Sequence, residues 1–175
     1  MDDLTRLAMA ARDGDRVALA AFVRRAQPDV WRLCTHLTSR READDLTQDV
    51  FVRAIEALRS FRAESSVRTW LLAIARNTCA DHVRRTVRRR KLARRVDERE
   101  RSLADPSGAV ALDQLLQALD PDRRAAFVLT QLLGLSYEEA ADVCRCPVGT
   151  IRSRVSRARA DLAEAMADEA EEAGG

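Results

Sequence analysis

Aromatic residues are scarce in this chain, 4% of 175 positions, so it lacks the series of stacking rings by which single-strand nucleic-acid binders usually hold their bases. No stretch approaches the ~18 apolar residues of a membrane span, and no charged-then-apolar leader opens the chain, so a cytoplasmic protein without a membrane anchor is expected. Histidine is limited to His36 and His82, both read as structural. Cys34, Cys79, Cys144 and Cys146 are scattered, and the nearest two are spaced C-x-C instead of the C-x-x-C of zinc ribbons and thioredoxin-like sites. They read as buried, reduced thiols acting as small apolar residues. No metal site, cofactor site or catalytic set is expected. A strong charge of one sign is missing as well: 30 basic and 28 acidic residues leave a net charge of +2, too little to argue for a polyanionic partner by itself.

Apolar residues reach 46% and charged residues 33%, a balance that suits helices with an apolar stripe and a charged outer face. The expected fold class is all-α. From Arg84 to Arg101, ten basic residues face only Asp97, Glu98 and Glu100, while Asp161 to Glu172 holds six acids and no base. Between about Arg88 and Gly108 the apolar period disappears, and Pro106-Ser107-Gly108 closes the stretch, as in a linker. Two small helical domains joined by a basic flexible linker follow: residues 1–87, a linker over 88–108, residues 109–165, and an acidic tail over 166–175. The tail from Glu164 to Gly175 is acidic and small-residued, and its end is expected to be frayed or disordered, with solubility as its plain role.

Residues 4–26 read as one or two helices broken near Gly14, and Pro28 suits the first turn of another carrying Val30, Trp31, Cys34 and Leu37. A third runs from Ser39 to about Leu58 with Leu46, Val50, Phe51, Ala54, Ile55 and Leu58 as its stripe. Ser65 or Ser66 caps a fourth, in which Val67, Leu71, Ile74 and Thr78 share a face and which continues into the basic run. In the second domain Leu112, Leu115, Leu116 and Leu119 precede Asp120-Pro121, a cap followed by proline at the first helical position. Phe127, Val128, Leu132 and Leu133 carry that helix until Gly134 stops it. Ser136-Tyr137-Glu138-Glu139 is a capping box, in which serine and glutamate satisfy each other's exposed backbone donors. A short helix to Cys144, a turn at Arg145 and Cys146, and a longer helix from Pro147 with Val148, Ile151, Val155, Ala158 and Leu162 on one stripe make a helix-turn-helix.

Three constellations carry chemistry. Opposite the last stripe, at about 100° per residue, lie the small residues Gly149, Ser153, Ser156 and Ala160, flanked by Arg152, Arg154, Arg157 and Arg159. Small residues let a backbone approach a groove while guanidinium groups reach phosphates and guanine edges, so this is read as a recognition helix; the plainer reading is a solvated basic face. The second is Asp45, Gln48 and Asp49, beside Asp44 and without a base, which residue chemistry alone leaves as a solvated face, a protein-docking surface or a carboxylate metal site. The third runs from Phe61 through Ser65, Ser66 and Thr69 to Asn77, Arg84, Arg85 and Arg88, a ring, hydroxyls, an amide and cations that suit unpaired bases and their backbone. Trp70 is read as core, and the poverty of aromatics argues against this third reading.

Taken in order, Asp44-Asp45-Leu46-Thr47-Gln48-Asp49-Val50-Phe51, Ser65-Ser66-Val67-Arg68-Thr69-Trp70-Leu71 and Ile74-Ala75-Arg76-Asn77 resemble region two of the extracytoplasmic-function sigma factors. Leu135-Ser136-Tyr137-Glu138-Glu139-Ala140-Ala141, with Cys146-Pro147-Val148-Gly149-Thr150-Ile151-Arg152-Ser153-Arg154, is similar to the helix-turn-helix of their region four. The likeness spans about residues 15–165. It implies a transcription initiation factor, not an enzyme, with core RNA polymerase and promoter DNA as partners. Asp45, Gln48 and Asp49 would dock on the beta-prime clamp helices, the beta subunit being a further contact. Phe61, Ser65, Ser66 and Asn77 would hold a base flipped from the minus-10 element, with Arg84, Arg85 and Arg88 against upstream phosphates. Arg152, Ser153, Arg154 and Arg157 would enter the minus-35 major groove. The linker would follow the RNA path, an anti-sigma protein would cover the polymerase-binding faces, and the free chain would be a monomer. Ser156 and Val67 stand where relatives often carry an aromatic, so promoter preference does not transfer, and weak melting with reliance on well-matched promoters is expected. Two other classes compete: an operator-binding regulator, for which no dimerisation helix is evident, and a metal-dependent nucleic-acid enzyme using Asp44, Asp45 and Asp49, which would gather all its carboxylates on one helix.

Overall fold

The computed structural model describes residues 2–93 and 108–174. Helix α1 (Asp3–Arg12) begins where Asp2 accepts a hydrogen bond from the Thr5 amide at 2.8 Å, and the chain then turns at Gly14, whose φ of +103° suits a residue without a Cβ. Helix α2 (Arg16–Leu37) is capped by Asp15, which accepts from the Val17 and Ala18 amides. It runs straight through Pro28, which corrects the expectation of a new helix at that point. Proline leaves the Arg24 carbonyl without its helical donor, but Arg24 and Pro28 are both exposed, so solvent satisfies that group. The buried stripe of Phe22, Ala26, Val30 and Leu33 continues unbroken on the other side.

Helix α3 (Arg40–Leu58) buries Ala43, Leu46, Val50, Phe51, Ala54 and Leu58, with Phe51 edge-on to Phe22 at 6.5 Å between centroids. Ile55 is 41% exposed, a correction to its place in the stripe: helical rotation sets it about 100° from the stripe's centre. Helix α4 (Val67–Ala93) is capped by Ser66, whose hydroxyl accepts from the Thr69 amide at 3.1 Å. Val67, Leu71, Leu72, Ala75, Thr78 and Cys79 face the core, while Ile74 is only half-buried. The helix continues past Arg88 to Ala93, and positions 94–107 of the expected linker lie outside the described residues.

The second half opens with α5 (Gly108–Ala118) and α6 (Pro121–Phe127), the latter capped by Asp120 through the Asp122 and Arg123 amides. Helix α6 passes into a π-helical turn over Val128–Leu132, in which the Leu133 amide reaches the Val128 carbonyl at 2.9 Å. Gly134, with φ +69°, ends the segment. Helix α7 (Tyr137–Cys144) has the full capping box: the Glu139 amide donates to Ser136 Oγ at 3.1 Å and the Ser136 amide to the Glu139 carboxylate at 2.8 Å. Arg145 then takes a left-handed conformation, and α8 (Val148–Gly174) follows. Its helical extent corrects the expectation of a frayed tail, because alanine, glutamate and methionine are strong helix formers that extend an existing nucleus.

Leu116, Val128, Leu129, Val143, Ile151, Val155 and Ala158 are buried in this half, and each large side chain so buried contributes ~1.5–3 kcal/mol. Arg124 is buried too. It donates to the carbonyls of Gln117 at 2.7 Å, Leu119 at 3.1 Å and Leu37 at 3.4 Å, closing the C-terminal ends of α5 and α2 together. Burial lowers its pKa, against the nearby charge of Asp120. Among the described residues there is no strand, and no helix is long and apolar enough to cross a membrane.

Candidate nucleic-acid interface

On α8 the buried Ile151, Val155 and Ala158 turn the opposite face outward, where Arg152, Ser153, Ser156, Arg157 and Ala160 are exposed. A Cβ added at Gly149 would meet nothing within 4 Å, so the small-residue face is open. Ser153 Oγ donates back to the Thr150 carbonyl at 3.0 Å. Arg154 behaves differently from its neighbours. Its guanidinium is paired with Asp122 on α6 and approaches Cys146 Sγ at 3.6 Å, which corrects the picture of a side chain free to enter a groove. Arg159 donates to Gln131 at 2.6 Å.

Along α4, Trp70, Asn77, Arg84 and Arg88 fall within about 20° of one line, since they are separated by seven, seven and four residues. Arg84, Arg85 and Arg88 are exposed and Asn77 is half-buried. The sequence offered Phe61 as a stacking ring and Trp70 as core; the structure buries Phe61, which corrects the first reading, and packs Trp70 partly buried against the core. Phe61 is 5% exposed and packs on Trp70 at 5.0 Å between centroids, so it floors the loop, while the half-buried Trp70 shares the face of Asn77. Ala63, with φ +56°, turns that loop, and Ser65 and Ser66 are half-buried at its end. Eleven residues of helix put Asn77 about 16 Å beyond Ser66, so the loop and the amide address different nucleotides of a strand. Asp81, about 40° round the helix from that line, pairs with Arg84, reducing its positive charge. Nothing in the sequence marked it out.

On α3, Asp45, Gln48 and Asp49 are all exposed. Val52, 57% exposed, sits at the centre of their face, an apolar element that sequence periodicity passed over. Asp44 is engaged by Trp31, whose Nε1 donates to it at 2.8 Å, and the Arg40 guanidinium lies over the Trp31 ring at 5.7 Å. Asp45 and Asp49 border a cleft of about 1070 Å³ whose other walls include His82, Arg84, Asp122 and Arg124. His82 and Glu42 meet there at 2.7 Å. Burial raises the Glu42 pKa, but hydrogen bonds from His82 and Ser39, with the charges of His82 and Arg90, outweigh it and hold the carboxyl below its usual range.

Cys34, Cys79 and Cys144 are buried packing residues, whereas Cys146 is only half-buried, which corrects the expectation of four buried thiols. Cys34 and Cys79 touch at 3.6 Å between sulfurs within the core, and burial pushes the Cys144 thiol up to about 11. Among the described residues no cluster of His, Cys, Asp or Glu is arranged to hold a metal ion.

Such a fold, with an open recognition helix in one half and a separate charged face in the other, defines a two-part DNA-binding transcription factor. The family model of sigma-70 region 2 matches residues 22–89 and that of sigma-70 region 4 matches residues 109–162. The chain belongs to the extracytoplasmic-function sigma factors, regulatory proteins of transcription initiation. The extracytoplasmic-function RNA polymerase sigma factor SigC of Mycobacterium tuberculosis is 48% identical, with 95% of this chain and 93% of the relative covered. The sigma-E factor of Escherichia coli is 34% identical, over 83% of this chain and 85% of its own. Among solved structures, CnrH in complex with the cytosolic domain of CnrY superposes with a TM-score of 0.74 at 31% identity, covering 95% of this chain and 99% of that one. The sigma factor RpoE in complex with the anti-sigma factor NepR from Bartonella quintana gives 0.69 at 32% identity, covering 79% and 90%.

Proposed function

We propose that this chain binds core RNA polymerase in the cytoplasm as a free-standing monomer, without enzymatic activity of its own, and directs the polymerase to promoters through two contacts. Residues 1–87 form the docking and minus-10 half and residues 109–165 the minus-35 half, with 88–108 between them and the acid-rich 166–175 beyond. Asp45, Gln48 and Asp49, joined by Val52, present acids around one apolar side chain, a surface suited to a basic helical partner such as the beta-prime clamp helices. The beta subunit is the further polymerase contact. The Phe61-floored loop with Ser65 and Ser66 receives one unpaired base. Trp70 and Asn77 address the strand further on, and Arg84, Arg85 and Arg88 neutralise upstream phosphates. Arg152, Ser153 and Arg157 read the minus-35 groove, with Arg154 set behind them.

An anti-sigma protein is the expected inhibitor, since one structural relative, RpoE from Bartonella quintana, is a sigma factor in complex with an anti-sigma factor. The observation that carries the reading is the pairing of region 2 and region 4 on one chain with the outer face of α8 left open. Gel shifts with and without core polymerase test it. Promoter binding that needs core supports the reading, and binding equally tight without core would favour an operator-binding regulator.

A further inference from the structure

We propose that helix α1 is the brace of the loop over 61–66, with Thr5 and Arg12 holding the loop's two ends, so that Arg12 is a positioning residue for capture of the unpaired base. The inference rests on the reading above in which that loop receives a minus-10 base. Helix α1 (Asp3–Arg12) precedes the residues matched by the region 2 model, which begin at 22. Thr5 and Arg12 are seven residues apart, so they lie within about 20° of one line on α1 and about 10 Å apart along its axis. Buried Thr5 and Ala8 seat that side of the helix against the core. Each anchor then meets one end of the loop. Arg12 Nη1 donates to the Phe61 carbonyl at 3.4 Å. The Thr5 hydroxyl accepts from the Val67 amide at 3.4 Å and donates to Asp2 at 2.7 Å. That amide is among the first donors of α4, which no carbonyl of the helix can serve, and Val67 is fully buried, so the hydroxyl replaces a solvent partner.

Fixing both ends on one rod constrains what lies between them. Six extended residues reach about 20 Å, roughly twice the separation of the two anchors, so the intervening chain bows outward. It turns at Ala63, whose φ of +56° is a left-handed conformation that a residue with a Cβ adopts at a cost. Released at the Phe61 end, the segment would relax toward ordinary backbone. Ser65 and Ser66, half-buried at the far end, would then lose their fixed spacing from the floor that Phe61 makes against Trp70. A loop already held in shape captures a base without first giving up conformational freedom of its own.

The test compares full-length wild type with Arg12→Ala, Arg12→Lys and Thr5→Val. Arg12 is half-buried at the end of α1, so its alanine variant should fold, and Thr5→Val keeps the buried volume while removing the acceptor. Amide hydrogen exchange over residues 60–67 should quicken about 3- to 10-fold in Arg12→Ala and Thr5→Val, the weight of one net hydrogen bond, with α2 and α3 unchanged. The second readout is binding of the chain with core polymerase to a single-stranded DNA oligonucleotide, the non-template minus-10 strand of a promoter that the wild type transcribes. Arg12→Ala should weaken it about 3- to 10-fold and Arg12→Lys should restore most of it, while affinity for a minus-35 duplex and for core stays at the wild-type value. Exchange over 60–67 that is unchanged, or faster only as part of a rise across the whole chain, overturns the brace. Faster exchange confined to the loop with unchanged oligonucleotide affinity overturns the positioning role. If the wild type with core does not bind the strand at all, the minus-10 reading fails, and the exchange data still decide the brace.

Discussion

Arg154 and Arg157 are three residues apart on α8, yet one is tied to Asp122 and the other is exposed. Arg157→Ala should therefore weaken binding to a minus-35 duplex by ~1–3 kcal/mol and relax preference at one base pair, whereas Arg154→Ala should cost less; fluorescence anisotropy at fixed salt over a panel of single-base changes checks both. Glu42 gives the pH dependence at this scale. Its folded pKa is depressed below the ordinary value of 4.5, so the stability it contributes is present above that value and is lost as pH falls through the folded pKa. Glu42→Gln should be destabilising near neutral pH and converge on the wild type only as pH falls through the depressed folded pKa of the carboxyl. Urea unfolding across that range reads it, and a constant difference at every pH would remove Glu42 from the explanation.

At the scale of elements, the helix-turn-helix depends on local chemistry. Ser136 and Glu139 satisfy each other's backbone donors within four residues, so Ser136→Ala should cost ~1 kcal/mol, seen as a lower urea midpoint with an unchanged slope. This is also why so much of the second half was legible in advance: Asp120-Pro121, the capping box and the stripe of Ile151, Val155 and Ala158 all act between near neighbours. Phe61 was misjudged because its burial depends on Trp70, nine residues on, in a loop whose course spacing does not encode. Pro28 misled for a related reason, since whether a proline breaks a helix depends on whether the orphaned carbonyl meets solvent. The acidic end of α8 looked disordered by composition, but a helix already anchored by its first turns extends at little cost through good helix formers.

The whole molecule shows which features only distant contacts produce. Arg124 closes helix ends on both halves, and Asp122 joins α4 to α8; neither pairing has a sequence signature. The charged face of α3 was visible as Asp45, Gln48 and Asp49, and the exposed Val52 at its centre completes it. Asp49→Lys should abolish association with core polymerase while leaving the thermal midpoint within a few degrees, since the position is exposed; a pull-down with purified core checks it. The most direct measurement is run-off transcription with core polymerase across a promoter library. The chain should select a subset of promoters with matched elements at both positions, and Asp49→Lys should lose that selection. Start sites that are the same with and without the chain would contradict its role as a promoter-specificity subunit.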